Sequence, residues 1–241
     1  MEAHLPDPGR LNELLVPGRR IWLAPARSQA RRTRWTAVLT EAPQGGDLVS
    51  IDATLPNRLV ARALEEGALD ELGPYTEVRS EPRVGSHRFD FLLRRDTSAA
   101  GGTEPGPHDL LLEVKSVTLV EHGVALFPDA VTARGTRHVR RLGELAREGR
   151  RCAVLFVLQR SDAHRVRAAD TIDPAFAEAL DDAAADGVRV LARRCRVTRK
   201  GVRLAEPVPT DVGPAPGADP AKASVPDHHR GHGTPPLAVE F

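Results

Sequence analysis

Asp90, Glu113 and Lys115 are the residues of this chain whose types and spacing fit one chemistry together. In the run LLLEVKSVTL, Glu113 and Lys115 stand two apart, and successive side chains of a strand alternate between faces, so both share one face while Val114 points away. Asp90 lies between Phe89 and Phe91 in HRFDFLL, a preceding strand candidate, and is expected to point opposite its aromatic neighbours; strand pairing would bring it to the same spot. Two carboxylates there offer hard oxygen ligands to Mg2+ or Mn2+, and such an ion binds a phosphate oxygen and an attacking water. The lysine adds a compact positive charge beside that water or the crowded phosphorus. Phosphodiester hydrolysis needs these groups.

Spacing alone leaves a competing reading open, an ordinary Glu113–Lys115 ion pair on an exposed edge strand, which contributes little to stability. Lysine is scarce here, however: of 34 basic residues only Lys115, Lys200 and Lys222 are lysine. Its flanking runs LLL and VTL are apolar, as are the neighbours of Asp90, which points to burial.

The elements that must position these residues follow from the pattern. Residues 19 to 52 alternate short β-prone runs with Pro25 and Gln44-Gly45-Gly46, as a small antiparallel unit does. LPNRLVARALEEG then places Leu59, Ala63 and Leu64 at helical spacing and stops at Gly67. Strand candidates TEVRSEP and HRFDFLL, a polar loop from Arg94 to Asp109, the strand LLLEVKSVTL and a short strand GVALF follow. Residues 132 to 148 read as an amphipathic helix with Val139, Leu142, Leu145 and Ala146 as its buried stripe, capped by Thr132. CAVLFVLQ is apolar enough for a central strand, and a helix opening at Asp173-Pro174 with the strand VRVLARRCRV completes an α/β unit.

From Glu206 onward Pro, Gly, Ala and Asp dominate, so a disordered tail is expected over 206–241. Its His228, His229 and His232 lack a folded frame for metal binding. Cys152 and Cys195 sit in apolar runs, as buried reduced thiols do. No segment approaches the roughly 20 apolar residues of a membrane span and the N-terminus lacks signal-peptide order, so a cytoplasmic protein without membrane contact is expected. A formal charge of +1 neither favours nor excludes a polyanionic partner, because the arginines cluster.

LPNRLV, FDFLL, EVKSVTL, ALFPDAVTARGTRHVRRL and AVLFVLQR together resemble the sugar fermentation stimulation protein family, SfsA, over about residues 3 to 198. The resemblance implies an α/β (α+β overall) chain in three parts. An OB-fold-like β-barrel spans 1–54, a domain similar to PD-(D/E)xK nucleases with a central mixed sheet spans 55–205, and the tail follows. It also implies DNA binding, with Asp90, Glu113 and Lys115 at the nuclease positions and Asp90 and Glu113 as metal ligands. Gln159 resembles a glutamine that some of these nucleases place beside the metal, and is equally readable as a strand-end surface residue. The chain opens where the family's first domain is already under way, so the reading frame is expected to begin upstream of Met1.

For nucleic-acid contact the candidates are Arg134, Arg137, His138 and Arg141 near the start of the second helix, where the dipole favours phosphate. Arg31, Arg32 and Arg34 in RSQARRTRW are also candidates for backbone contact, while Trp35 is expected to pack in the core. Asn57 and Arg58 match the family and would bond phosphate or the neighbouring domain, whereas Glu65 and Glu66 are expected to face solvent. The resulting reading is a DNA-binding protein, for single-stranded or structured nucleic acid, with a Mg2+-dependent phosphodiesterase-type site. The alternatives are a non-catalytic DNA-binding regulator of sugar (maltose) metabolism, and an α/β domain with a structural ion pair. Oligomeric state, a homodimer included, is left open.

Overall fold

A computed structural model of the chain describes residues 1–26, 30–95, 105–106, 108–212 and 239–240. Three short β-prone runs become β1 (Ile21–Pro25), β2 (Trp35–Glu41) and β3 (Leu48–Ser50), an antiparallel sheet in that order, with His4 bridging to Thr36. One side of this unit closes over Leu11, Leu14, Ala37, Val49 and Ile51. Val38, with Trp22 and Ala24, packs instead into a core shared with the rest of the chain.

Helix α1 (Leu55–Glu65) carries Pro56 in its first turn, and the chain leaves it at Gly67, whose φ of +64° suits a residue without Cβ. Next come β4 (Glu77–Ser80), β5 (Arg83–Val84), β6 (His87–Arg88), β7 (Phe91–Arg94) and β8 (Leu110–Val117). After β9 (Val120–Glu121) and β10 (Val124–Phe127), α2 (Ala133–Arg147) starts at Thr132, whose hydroxyl accepts from Gly135 N at 3.2 Å. The expected cap is therefore made. β11 (Arg151–Leu158), β12 (Arg165–Ala168) and α3 (Pro174–Ala185), capped by Asp173, follow. The described chain ends with β13 (Arg189–Thr198), β14 (Gly201–Pro207), β15 (Thr210–Asp211) and β16 (Val239–Glu240).

Among the described residues the central sheet has seven strands in the order β16-β14-β13-β11-β8-β7-β4. Its heart, β8, β11 and β13, is parallel, and the flanking strands are antiparallel, so the sheet is mixed. A second sheet runs β15-β12-β10-β9. Parallel strands need both faces covered. Here α1 covers one face, over Leu112, Val114 and Leu155, while α2 and α3 cover the other, over Leu111, Val154 and Phe156. Each such side chain taken from water contributes about 1.5–3 kcal/mol before entropy is counted.

Two expectations change. HRFDFLL is not one strand: β5 and β6 form their own hairpin, the chain bends at Asp90, and β7 begins after it. Order also persists past residue 205, because β14 reaches Pro207, β15 pairs with β12, and Val239–Glu240 pairs with β14. A Pro- and Gly-rich composition hid these short pairings, which the neighbouring strands impose. His228, His229 and His232 lie outside the described residues, as does Arg27. Cys152 and Cys195 are both free and buried, as expected.

Candidate metal and nucleic-acid site

Alternation along β8 puts Glu113 and Lys115 on the α2 face and Leu112 and Val114 on the α1 face. Lys115 Nζ donates to Glu113 Oε1 at 2.7 Å. These are not edge-strand residues: β8 lies between β7 and β11, and Glu113 and Lys115 are only 5% and 8% exposed. His138, reaching down from α2, places Nδ1 2.7 Å from the same Glu113 oxygen.

Asp90 arrives by a route that regular strand geometry does not predict. Phe91 pairs with Leu112, but at Asp90 the backbone leaves the ladder, and the carboxylate replaces it: Oδ2 accepts from Val114 N at 2.7 Å. Oδ1 accepts from Asn57 Nδ2 of α1, also at 2.7 Å. The bend shows in the neighbours, since Phe89 packs in the α2 core and Phe91 in the α1 core rather than on one common face.

The two carboxyls are driven apart electrostatically. Burial, then the charge of Glu113, pushes Asp90 above the usual carboxylate range. Burial also acts on Glu113, but the His138 hydrogen bond and the Lys115 charge outweigh it and hold that carboxyl low. Glu113 Oε2 is buried with no hydrogen-bond partner. A buried carboxylate oxygen without a donor fits a divalent cation with oxygen preference. Among the described residues no cluster of three or more His, Cys, Asp or Glu side chains stands ready as a complete cage.

Lys115 also lines a cleft of about 350 Å3 with Ser116, Thr118, Asp129 and, from the N-terminal segment, Asp7 and Gly9; Asp90 and Glu113 are not among its lining residues. A larger cavity of about 830 Å3 beside α1 and β4 contains neither Glu113 nor Lys115.

The remaining candidates divide by environment. Arg134 and Arg137 are exposed on α2, and Arg31, Arg32 and Arg34 are exposed on the N-terminal unit. Arg141 is held by Glu144 at 2.8 Å and Glu148 at 3.3 Å. His138 is no surface phosphate contact; it is buried and bonded to Glu113. Asn57 and Arg58 face protein groups, Asn57 on Asp90 and Arg58 on Asp52 at 2.8 Å. Gln159 is buried, donates to Ser116 Oγ at 2.9 Å, and follows Val157 onto the α1 face, away from Glu113 and Lys115. Trp35 is half-buried and belongs to no core cluster among the described residues; Trp22 takes that place, flanked by Arg20 and Arg199. Glu65 and Glu66 face solvent.

Sequence reasoning missed the Glu113–His138 and Asn57–Asp90 bonds. One signal was present: His138, Leu142 and Leu145 fall on a single helical stripe, which places the imidazole inward. Nothing local signals the Asn57 contact, whose partners are 33 residues apart.

Fold and site together define a two-domain chain, an N-terminal OB unit joined to an α/β domain with a buried carboxylate–lysine centre. Residues 1–51 match the SfsA N-terminal OB domain, and residues 54–201 match the sugar fermentation stimulation protein RE domain. The chain belongs to the sugar fermentation stimulation protein family. It is 45% identical over 207 residues to the sugar fermentation stimulation protein homolog of Moorella thermoacetica, covering 86% of this chain and 84% of that protein. The Chloroflexus aurantiacus homolog is 44% identical over 209 residues, covering 87% and 76%. The structure of Pyrococcus furiosus SfsA in complex with Ca2+ superposes with a TM-score of 0.75 at 28% identity, covering 87% of this chain and 85% of that one. No helix among the described residues is long and apolar enough to cross a membrane.

Proposed function

We propose that this protein binds DNA and carries a divalent-metal-dependent, phosphodiesterase-type site. The observation that carries the reading is the buried Glu113, paired on one oxygen with Lys115 and without a donor on the other, whose charge also acts on Asp90. Asp90 and Glu113 would hold the ion, and the Ca2+ complex of the Pyrococcus relative supports an oxygen-ligated cation in this fold. The ion's contribution is to neutralise a phosphodiester and activate water. Lys115 would bring its side-chain nitrogen next to the position where charge builds on the phosphate. Exposed arginines on α2 and the N-terminal unit, among them Arg134, Arg137, Arg31, Arg32 and Arg34, would neutralise the backbone.

The test incubates the protein with single-stranded, duplex and branched DNA and with RNA, with and without Mg2+ or Mn2+, beside Glu113→Ala and Lys115→Ala. Metal-dependent cleavage abolished in both variants is expected; cleavage unchanged in both removes the site assignment. The family's name points to sugar fermentation, and the second reading is a non-catalytic DNA-binding regulator of sugar (maltose) metabolism. Salt-sensitive DNA binding with no cleavage under any metal selects it.

A further inference from the structure

We infer that His138 is a positioning residue for Glu113, which pins the carboxylate so that Oε2 alone is presented to a divalent cation. This rests on the metal-site reading above and names the part of the fold that sets its geometry.

The two oxygens of Glu113 are treated unequally. Oε1 receives Lys115 Nζ and His138 Nδ1, both at 2.7 Å, while Oε2, equally buried, receives no donor. Buried polar atoms are ordinarily satisfied, so one doubly bonded oxygen beside an empty one is an organised asymmetry. An ionised carboxylate only accepts, so His138 donates from Nδ1 and its tautomer follows from geometry.

Lysine cannot do this alone, because its four-carbon stem lets the ammonium follow a rotating carboxylate. The imidazole is stiffer. Its ring meets Phe89 edge-on, with centroids 5.8 Å apart at 62°, and His87 at 6.0 Å and 70°. Phe89 immediately precedes Asp90, so the aromatic contact that fixes the ring is made by a neighbour of the second carboxylate. A hydrogen-bonding partner behind a metal ligand typically sets affinity as well as orientation.

The probe is Mn2+ alone, titrated into the full-length protein and followed by electron paramagnetic resonance of the free ion. His138→Leu keeps apolar volume without a donor, whereas His138→Asn keeps an amide N–H near the place of Nδ1. Mn2+ affinity is expected to fall about 10–100-fold in Glu113→Gln and His138→Leu and to stay within about threefold in His138→Asn. Thermal melts of each variant separate this from loss of fold. If His138→Leu does not fold, His138→Gln, whose donor lies one carbon farther out, is compared with His138→Asn, and equal affinities overturn the inference. Wild-type affinity in His138→Leu, with Glu113→Gln impaired, also overturns it and leaves the metal site standing. Absence of Mn2+ binding in the wild type, or binding that Glu113→Gln leaves untouched, overturns the metal site and this inference with it.

Discussion

Asn57, in the first turn of α1, donates its amide to Oδ1 of Asp90 at 2.7 Å, so the helix that opens the second domain steadies a carboxylate at the sheet's bend. The carboxylate is half-buried and repelled by the charge of Glu113, and the amide is one of two neutral donors that offset this. Asn57→Leu is expected to lower stability by about 0.5–1.5 kcal/mol, the net contribution of one such hydrogen bond. Urea unfolding at neutral pH measures it, and a midpoint equal to the wild type contradicts the bond's importance.

Arg160 is fully buried and clasped by Asp162 through Nε–Oδ1 at 2.7 Å and Nη2–Oδ2 at 2.6 Å, with Nη1 donating to Thr118 O at 2.9 Å. Its backbone bridges to Val49, so this guanidinium sits at the junction of the two domains. Asp162→Ala leaves the charge buried without its counter-ion, and a loss of about 3–5 kcal/mol is expected. The double variant with Arg160→Met should recover most of that loss; if it is no more stable than Asp162→Ala, the stranded charge is not the cause.

Gly9 lies where a Cβ would come 2.6 Å from Asp129 Oδ2 and 2.9 Å from Asp7 Oδ1. Those two carboxylates accept from Arg10 N at 3.1 Å and Gly9 N at 2.7 Å, stitching the N-terminal segment to the loop before α2. Gly9→Ala forces one or both bonds open, at about 0.5–1.5 kcal/mol each. Calorimetry of Gly9→Ala against Gly9→Ala/Asp129→Ala tests this: if the nearer carboxylate is the obstacle, its removal makes the alanine easier to accommodate.

Glu71 and Arg193 join residues 122 apart through two hydrogen bonds of 2.7 Å. Burial pushes the Glu71 carboxyl up, but the Arg193 bond and charge outweigh it and hold it below the usual range. A carboxyl depressed in the folded state stabilises fully above its unfolded pKa, about 4.3, and loses that contribution as pH falls through the lower folded value. The stability gap between wild type and Glu71→Gln should therefore stay level through neutral pH and close only in acid. A gap that widens on acidification contradicts the sign.

Several elements were legible because their signals are local. Thr132 and Asp173 cap helices where the sequence places them, and β11 is the doubly covered central strand that CAVLFVLQ describes. The bend at Asp90 was not legible, because FDF alternates like any strand and only the β5–β6 hairpin pulls the backbone out of register. Trp35 differs as well: an indole in a β-prone run reads as core, but Trp35 opens β2 half-buried, and Trp22 on the neighbouring β1 packs against the shared core instead.

By itself, the sequence determined which residues alternate, which stripe of each helix is apolar, and that Glu113 and Lys115 share a face. Those facts depend on backbone periods of 2 and 3.6, which any local stretch obeys. Only the tertiary structure decided that Asn57 would hold Asp90, that the inward-facing His138 would meet Glu113, and that Gln159 would point to the opposite side of the sheet. Each depends on how distant elements stack and in which register strands meet, and register and layer order follow from the packing of the whole core.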